Sequence, residues 1–395
     1  RALPMLRLSL ALCLLSAAAL ALTRPDATEP SRFAIKHLSE SLRESFPSLN
    51  QSFADEVARQ QLRWIIRNPN ATDYEAVREP RPMFAECPEL PARSPPTNIK
   101  DLHPQDVKVM GAVGDSISTG CNALSSTWLN LKDYQGLAWS MGGDAGAVTL
   151  LNLMRQYNPE IVGASTGTGS GNTGLNHAKN GAVVQDVPGQ VDALIANMQA
   201  REDVDFENDW KVVTLLIGGN NLCIVCKADK EKENNAEVYE HYLRESLQKL
   251  STLPRTLVNV VQHTVYTQLA QFKGPLCGLV LPSVCDCLTT TNAAKQQAAE
   301  KAIVEFNEAG VKVAAEFQRR DDFAVVIQPF LEKTVIPDNS WISTADCFHP
   351  SGEGQRLFAT GLWNGMLTPV PKKADYTAAI DDVPMCADAD TLLYN

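Results

Sequence analysis

The chain is poor in basic residues and has no basic stretch. Its 395 residues include 35 Lys and Arg against 46 Asp and Glu, which gives a formal net charge of −11. Tight binding to nucleic acid or to an anionic membrane needs a cationic surface that neutralises phosphates. The deficit therefore argues against a nucleic-acid partner and against tight electrostatic docking on an anionic bilayer.

The chain has only one long apolar run, and it lies at the N-terminus. Arg1 and Arg7 form a short basic start, residues 8–22 are almost wholly apolar, and Ala19-Leu20-Ala21 offers a small-x-small cleavage site. This pattern is typical of a secretory signal, and the run is short for a membrane-spanning helix. We expect residues 1–22 to be a signal peptide, with an uncleaved anchor as the alternative. Since no second run of spanning length follows, we expect no C-terminal transmembrane segment and a soluble, secreted mature protein.

The number of cysteines is consistent with secretion, because secreted proteins pair most of their cysteines. Without Cys13 of the signal segment, the disulfide candidates are Cys87, Cys121, Cys223, Cys226, Cys277, Cys285, Cys287, Cys347 and Cys386. Their odd number leaves one cysteine free or paired outside the chain. Cys223-x-x-Cys226 lacks the second pair or the nearby histidine that would complete a zinc site, so we interpret it as disulfide-forming and expect no metal.

The two ends of the chain differ in character from its middle. Residues 23–104 are polar and punctuated by proline, with a periodic helical segment at Ala54–Ile66, so we interpret them as an N-terminal extension, either a cap or a prosegment. Glycosylation acceptor patterns begin at Asn50 and Asn70. Residues 371–395 are predicted to be a C-terminal tail, tied down, if at all, through Cys386.

Residues 105–370 alternate between apolar strands and helical segments. The candidate strands are Val107–Val113, Leu137–Met141, Ile161–Ser165, Val212–Ile217, Thr256–Val261 and Phe323–Ile327, and the main candidate helices are Val187–Met198, Ala236–Leu250 and Ala293–Arg319. Continuous apolar strands separated by helices predict a mostly parallel sheet that is covered on both faces. The expected fold class is α/β, a three-layer α/β/α arrangement around that sheet.

The first predicted strand ends in Gly114-Asp115-Ser116. Open α/β sheets place their reactive groups at the carboxyl ends of the strands, where this serine would present its hydroxyl. A nucleophilic serine needs a base, a group that orients the base, and donors for the oxyanion. His349 is the candidate base, and Asp346, three residues earlier, is the candidate orienting group. The alternatives are a surface histidine beside Pro350 and an aspartate that caps a helix.

Two glycine pairs offer donors for an oxyanion. Gly142-Gly143 follow the second predicted strand, and Gly218-Gly219-Asn220-Asn221 follow the fourth. A glycine exposes its backbone N–H at close approach, and an asparagine amide is a further donor. Together with the N–H of Ser116, these groups would make three convergent donors. For each glycine pair taken alone, a tight turn is the alternative.

These motifs, in this order, resemble those of the GDSL, or SGNH, hydrolases and, within them, the phospholipase B branch of lipases. The resemblance covers roughly residues 98–370 and rests on the segments 114–120, 136–144, 209–220 with Leu222-Cys223, and 346–349. It implies an SGNH-hydrolase-like domain at 105–370, with Ser116 as the nucleophile, His349 as the base and Asp346 as its orienting group. The backbone N–H groups of Ser116 and Gly143 and the Asn220 side chain would form the oxyanion hole, with Gly142 as the alternate to Gly143.

The resemblance implies acyl transfer through an acyl-serine, which requires no metal or organic cofactor. The expected substrate is a phospholipid or lysophospholipid, which a monomer would meet in transient contact with a micelle or membrane surface. An esterase acting on small or carbohydrate esters is one alternative. A catalytically inactive lipid-binding homologue is another, and it stays open because Asn221 stands where the family usually has an aspartate.

Overall fold

The computed structural model describes residues 51–67, 87–125, 131–169, 171–271, 285–317, 320–336, 339–379 and 382–393, and the single positions 32, 35, 36, 39, 40, 43, 277 and 281. The predicted signal peptide and the acceptors Asn50 and Asn70 lie outside these residues. The periodic segment of the extension forms helix α1, Gln51–Arg67. None of the helices in the described ranges is both long and apolar enough to cross a lipid bilayer.

Four parallel strands form the centre of the structure. They are β1 (Val107–Gly114), β2 (Trp210–Leu216), β3 (Thr256–Val261) and β4 (Phe323–Gln328), hydrogen-bonded in that order. Almost all of their side chains are buried, as expected of a parallel sheet with helices on both faces. The predicted α/β class is confirmed.

Helices cover both faces of the sheet. After α1 they are α2 (Leu150–Arg155), α3 (Val187–Ala200), α4 (Gly219–Leu222), α5 (Glu231–Asn234), α6 (Ala236–Leu250), α7 (Asp286–Thr289), α8 (Ala293–Glu316), α9 (Gly352–Leu367) and α10 (Val370–Lys373). Helices α3, α6 and α8 each connect two successive strands, and α6 packs against the other two. The three therefore lie on one face, as the usual right-handed crossover would place them. Helix α9 packs against β4 and α2, and its Met366 Sδ lies 3.4 Å from Asn259 Nδ2 of β3. It therefore covers the opposite face.

Two of the six predicted strands do not join this sheet. Residues 137–141 lie in a 3-10 helix and turns, and Trp139 and Met141 are fully buried. The apolar run therefore indicated buried side chains, but not a strand that pairs with the sheet. Residues 161–165 form only isolated bridges, one of them from Val162 to β1. At Gly163 the backbone turns to φ +109, and the chain leaves β1. Further along the chain, Leu175 and His177 take over the hydrogen bonds with Ala112 of β1.

The segments that flank the predicted hydrolase domain pack into the same core. Trp210 Nε1 donates to the carbonyl of Pro96 at 3.0 Å, and Leu393 N–H donates to the carbonyl of Leu102 at 2.8 Å. Leu102 and Leu393 are fully buried, and a disulfide joins Cys87 to Cys386. The C-terminal residues are therefore held by packing and hydrogen bonds as well as through Cys386.

Replacing both Cys87 and Cys386 by Ser should lower the free energy of unfolding by about 2–5 kcal/mol. The bridge joins residues 299 positions apart and restricts the unfolded chain more than the folded one. Urea denaturation followed by circular dichroism measures the change. An unchanged midpoint would mean that packing alone holds the C-terminal residues in place.

Candidate active site

Ser116 stands in the turn that follows β1. A Cβ atom at Gly114 would lie 2.4 Å from the carbonyl oxygen of Leu216, so only glycine fits at this strand end. Gln190 of α3 accepts the Gly114 N–H at 2.8 Å and donates to the Gly114 carbonyl at 3.0 Å. Beyond the serine, Cys121 N–H donates to the Ser116 carbonyl at 3.1 Å and closes the turn. These contacts hold the Ser116 side chain at the carboxyl end of the sheet.

The loop before α9 brings Asp346 and His349 to this hydroxyl. His349 Nε2 lies 2.7 Å from Ser116 Oγ, and His349 Nδ1 lies 2.6 Å from Asp346 Oδ2. Asp346 Oδ1 also accepts the N–H groups of Phe348 and His349 at 2.9 and 3.0 Å. One carboxylate thus closes the loop and orients the imidazole. The structure brings together the three side chains singled out in the sequence, across 233 positions.

Asn122 is a contact of Asp346 that the sequence analysis missed. Its Nδ2 donates to Asp346 Oδ2 at 2.6 Å, and its Oδ1 accepts the Lys132 N–H at 3.1 Å. Asn122 has φ +58, a left-handed conformation in which asparagine is enriched among residues other than glycine. An asparagine soon after the serine turn was the only cue, because the two partners are 224 positions apart.

Burial and neighbouring charges act in opposite directions on the pKa values of His349 and Asp346. Burial by itself lowers the pKa of the His349 imidazole, but the Asp346 carboxylate and the nearby Cys121 thiol raise it, and the net pKa lies well above the ordinary 6.5. For Asp346, burial raises the pKa, whereas His349 and Asn122 lower it, so that the net pKa is below its ordinary value and the carboxylate is ionised. An ionised acid at Nδ1 stabilises the tautomer whose Nε2 accepts the serine proton.

Disulfides brace the loops on both sides of the site. Cys277–Cys347 holds the residue directly after Asp346, and Cys223–Cys285 and Cys226–Cys287 attach the segment around α7 to the end of α4. Cys223 and Cys226 therefore have separate partners instead of each other. With Cys87–Cys386, eight of the nine predicted cysteines are paired. The ninth, Cys121, is free and buried.

Two of the three predicted oxyanion donors border one cavity. Ser116 and Asn220 both line it, with Asn220 at the start of α4. Asn220 Nδ2 donates one hydrogen to the carbonyl of Ala182 at 2.8 Å, which fixes the amide and leaves its second hydrogen for a ligand. The N–H of Ser116 donates to no other residue in the described part of the chain.

The prediction of Gly143 as a donor, and of Gly142 as its alternate, is wrong. Gly143 N–H donates to the carbonyl of Ser165 at 2.8 Å, and Gly142 N–H donates to the carbonyl of Ala138 at 2.7 Å, so neither can serve an oxyanion. The error follows from the strand predicted before them. A glycine pair after an apolar segment marks the edge of a sheet only if that segment is a strand of the sheet.

Gly181 is the donor candidate that the sequence analysis overlooked. Its segment begins beside the serine turn, where Lys179 N–H donates to the Gly114 carbonyl at 3.1 Å, and continues to the residue that binds Asn220. Gly181 has φ +74, and its N–H has no partner within the described ranges. Because Gly181 directly precedes Ala182, whose carbonyl binds Asn220, it is the candidate third donor. The signal in the sequence was Asn180-Gly181, a turn dipeptide.

All of the hydrogen bonds described for the Asn221 side chain go to neighbouring residues of the chain. Its Oδ1 accepts the Val184 N–H at 3.0 Å, and its Nδ2 donates to Gln185 Oε1 at 3.0 Å and to Asn234 Oδ1 at 2.9 Å. The side chain is fully buried. An aspartate could not donate the last two bonds, so the asparagine suits its neighbours and leaves Asn220 in place.

Asp115 is a buried carboxyl next to Ser116 in the chain, and it takes no part in the Ser116–His349–Asp346 contacts. Burial raises its pKa to about 6, against the opposing effects of the Ile117 N–H and of His349. Its Oδ1 accepts that N–H at 3.0 Å, which helps to shape the serine turn. Within the described ranges, no group of three or more His, Cys, Asp or Glu side chains is arranged to hold a metal ion.

Proteins with similar sequences carry the name phospholipase B1, membrane-associated. The chain is 36% identical to that of Homo sapiens over 303 residues, which are 73% of this chain and 21% of the relative. It is also 36% identical to that of Mus musculus over 298 residues, 71% of this chain and 20% of the relative. The chain thus spans about a fifth of the length of these relatives.

Solved structures resemble the chain only distantly. An extracellular lipase from Streptomyces rimosus aligns with a TM-score of 0.35 and 16% identity, over 65% of this chain and 98% of that one. Phospholipase A1 from Streptomyces albidoflavus NA297 aligns with a TM-score of 0.36 and 17% identity, also over 65% and 98%. These scores are too low to carry an argument.

The family match covers most of the described fold. The sequence profile of the GDSL-like Lipase/Acylhydrolase family matches residues 110–362, a range that begins in β1 and ends in α9. It includes Ser116, Asp346 and His349. The chain therefore belongs to the GDSL lipase/acylhydrolase family, in its phospholipase B branch.

Proposed function

We propose that this protein is a carboxylic ester hydrolase of the phospholipase B type, which cleaves acyl esters of phospholipids and lysophospholipids. The observation that carries the proposal is the unbroken line of contacts from Asp346 to His349 at 2.6 Å and from His349 to Ser116 at 2.7 Å. Membership of the acylhydrolase family supports the reaction class, and the phospholipase B1 relatives support the substrate class.

In the first half of the reaction, Ser116 Oγ attacks the carbonyl carbon of the ester while His349 Nε2 takes the serine proton. Asp346 stabilises the resulting imidazolium. The carbonyl oxygen becomes an oxyanion, which receives hydrogen bonds from the Ser116 N–H, Asn220 Nδ2 and the Gly181 N–H. His349 then gives its proton to the alcohol oxygen as the C–O bond breaks, and the acyl group remains on Ser116.

In the second half, water replaces the alcohol. His349 takes a proton from the water as its oxygen attacks the acyl carbon, and the same donors hold the second oxyanion. The imidazolium returns the proton to Ser116 Oγ when the acyl bond breaks. The products are a fatty acid and the free enzyme, and each proton transfer uses the same Nε2 atom.

We also propose that the protein works in the secretory pathway or outside the cell. Four disulfides support an oxidising compartment, because such bonds persist there and are rare in the cytosol. Lipid substrate would reach the enzyme by transient contact with a micelle or membrane surface. Mass spectrometry of the protein secreted by expressing cells would identify the mature N-terminus, and retention of the whole protein inside the cells would oppose secretion.

Replacing Ser116 by Ala should abolish release of fatty acid from a defined diacyl phospholipid, because the attacking oxygen is lost. Mass spectrometry of the acids released from mixed micelles measures this, with a loss of at least a thousandfold expected. A fluorophosphonate should label the wild type at neutral pH and leave the Ser116→Ala variant unlabelled.

The same assay separates the competing functions. Labelled enzyme that cleaves a soluble short-chain ester faster than micellar phospholipid would favour an esterase of small or carbohydrate esters. Folded wild type that resists labelling would favour an inactive lipid-binding protein. Either outcome contradicts the phospholipase proposal.

Replacing Asp346 by Asn should lower kcat/KM by about four orders of magnitude and move the acid limb of its pH profile to lower pH. In the wild type, kcat/KM should rise as the pH passes through a value above 6.5, because only the neutral imidazole accepts the serine proton and the pKa of His349 is raised. Without the carboxylate, the largest effect that raises the pKa of His349 is lost while burial still lowers it, so that pKa should fall. Steady-state kinetics from pH 5 to 9 test this, and an acid limb at the same pH in both proteins would contradict it.

Replacing Asn220 by Ala should lower kcat on the order of a hundredfold or more with little change in KM, because a donor to the oxyanion acts mainly in the transition state. Asn208→Ala is a matched control, since Asn208 lies before the start of β2 and Asn220 lies after its end. Thermal melting checks that both variants fold. A kcat within threefold of the wild type for a folded Asn220→Ala variant would remove Asn220 from the oxyanion hole.

A further inference from the structure

An apolar cavity adjoins the one that contains Ser116 and Asn220. It covers about 510 Å³ of space between atoms, part of it open to solvent, and Ile117, Tyr266 and Phe348 line both cavities. The rest of its wall is mainly Leu269, Leu331, Ile336, Trp341, Ile342 and Phe358. The three shared residues place the larger space directly beside the reactive hydroxyl.

The polar atoms of this wall are few and mostly satisfied elsewhere. Thr264 Oγ1 donates to the carbonyl of Thr334 at 3.2 Å, and Thr334 Oγ1 donates to the carbonyl of Phe330 at 2.7 Å. Both hydroxyl hydrogens are therefore taken by backbone carbonyls, and Thr264 Oγ1 also accepts from Gln268 Nε2 at 3.4 Å. The wall contains no Asp, Glu, Lys, Arg or His among the residues that the structure describes.

The apolar wall of the larger cavity favours a hydrocarbon ligand. A sugar or a charged headgroup would lose its hydrogen bonds to water and find almost no replacement in this wall, which weakens binding. A hydrocarbon chain loses no hydrogen bonds and gains affinity with each methylene that leaves water. The smaller cavity, with Ser116 and Asn220, is left for the ester carbonyl.

The acyl chain of the proposed ester substrate would occupy this larger cavity, and we propose that Ile336 helps to set the length of chain that the cavity accepts. This inference rests on the proposed ester hydrolysis and names the part of the substrate that the site selects. Ile336 lines the larger cavity but not the smaller one, so it lies away from the reacting atoms. Its N–H donates to Gln268 Oε1 at 2.7 Å, and its carbonyl accepts from Gln271 Nε2 at 3.1 Å.

Those backbone bonds make Ile336 a suitable position for substitution, because they do not depend on its side chain. The neighbouring residue, Val335, is 72% exposed, whereas Ile336 is 9% exposed. The two side chains thus differ in whether they reach the cavity, although they are adjacent in the chain. Val335→Trp is therefore a matched control for Ile336→Trp.

The test is kcat/KM for a series of p-nitrophenyl esters from acetate to dodecanoate, with each ester kept dissolved as monomers. For the wild type, kcat/KM should rise about fourfold per methylene until the cavity is full. Ile336→Trp should lower kcat/KM for dodecanoate about fifteenfold, the effect of two methylenes, and leave acetate within twofold. Val335→Trp should keep the wild-type profile.

A wild-type profile that is flat with chain length would overturn the inference while leaving ester hydrolysis intact. Equal effects of Ile336→Trp on all esters, or none on any, would also overturn it. Failure of the proposed function looks different, because the wild type would then cleave no ester and resist fluorophosphonate labelling.

A binding measurement avoids dependence on how Ile336→Trp folds. Dibromostearic acid added to the Ser116→Ala variant should quench tryptophan fluorescence saturably, since Trp341 lines the cavity. The additional change Trp341→Phe should remove most of that quenching. Saturable quenching that is unchanged in Trp341→Phe, or absent from both proteins, would place the chain elsewhere and overturn the inference.

Discussion

The buried carboxylate of Asp346 is the constraint on which the arrangement of the site depends. A charge taken out of water is strongly destabilising unless partners replace its hydration. Here the partners are the His349 ring, the Asn122 amide and two backbone N–H groups. Asn122 belongs to the loop after Ser116, so the bonds to this one carboxylate also hold the loop of His349 against the loop after Ser116. Removing any partner would leave part of the charge uncompensated.

The candidate site is built on irregular loops, which a helix side chain and three disulfides hold in place. β1 and β2 end at the same edge of the sheet, where Ser116 and Asn220 follow them, while His349 comes from a loop before α9. Gln190 holds the end of β1 from the helix layer, and three disulfides attach the loops around α4 and around His349. Side chains on loops need such support to keep a fixed geometry, because loops carry fewer backbone hydrogen bonds of their own.

The same edge of the sheet has a polar side and an apolar side. Ser116 and Asn220 lie on the polar side, and Ile117, Tyr266 and Phe348 line both this cavity and the apolar cavity beside it. An ester of a fatty acid has the same division, with a polarised carbonyl and a hydrocarbon chain. Phe348 lies next to His349 in the chain, so one loop positions both the imidazole and part of the apolar wall.

The amino-acid sequence by itself determined the parts of this protein that depend on neighbours in the chain. β3 and α6 begin and end where the apolar period predicts, and Asp346 meets His349 because a three-residue spacing fits one tight turn. Residues 137–141 show the limit of such patterns, since an apolar run reports burial and not the backbone conformation in which it is buried. Only the tertiary structure decided that Gly143 N–H donates to Ser165, that Asn220 donates to Ala182 and that Asn122 donates to Asp346. These contacts join residues far apart in the chain, and whether a backbone N–H is free depends on every segment that packs beside it.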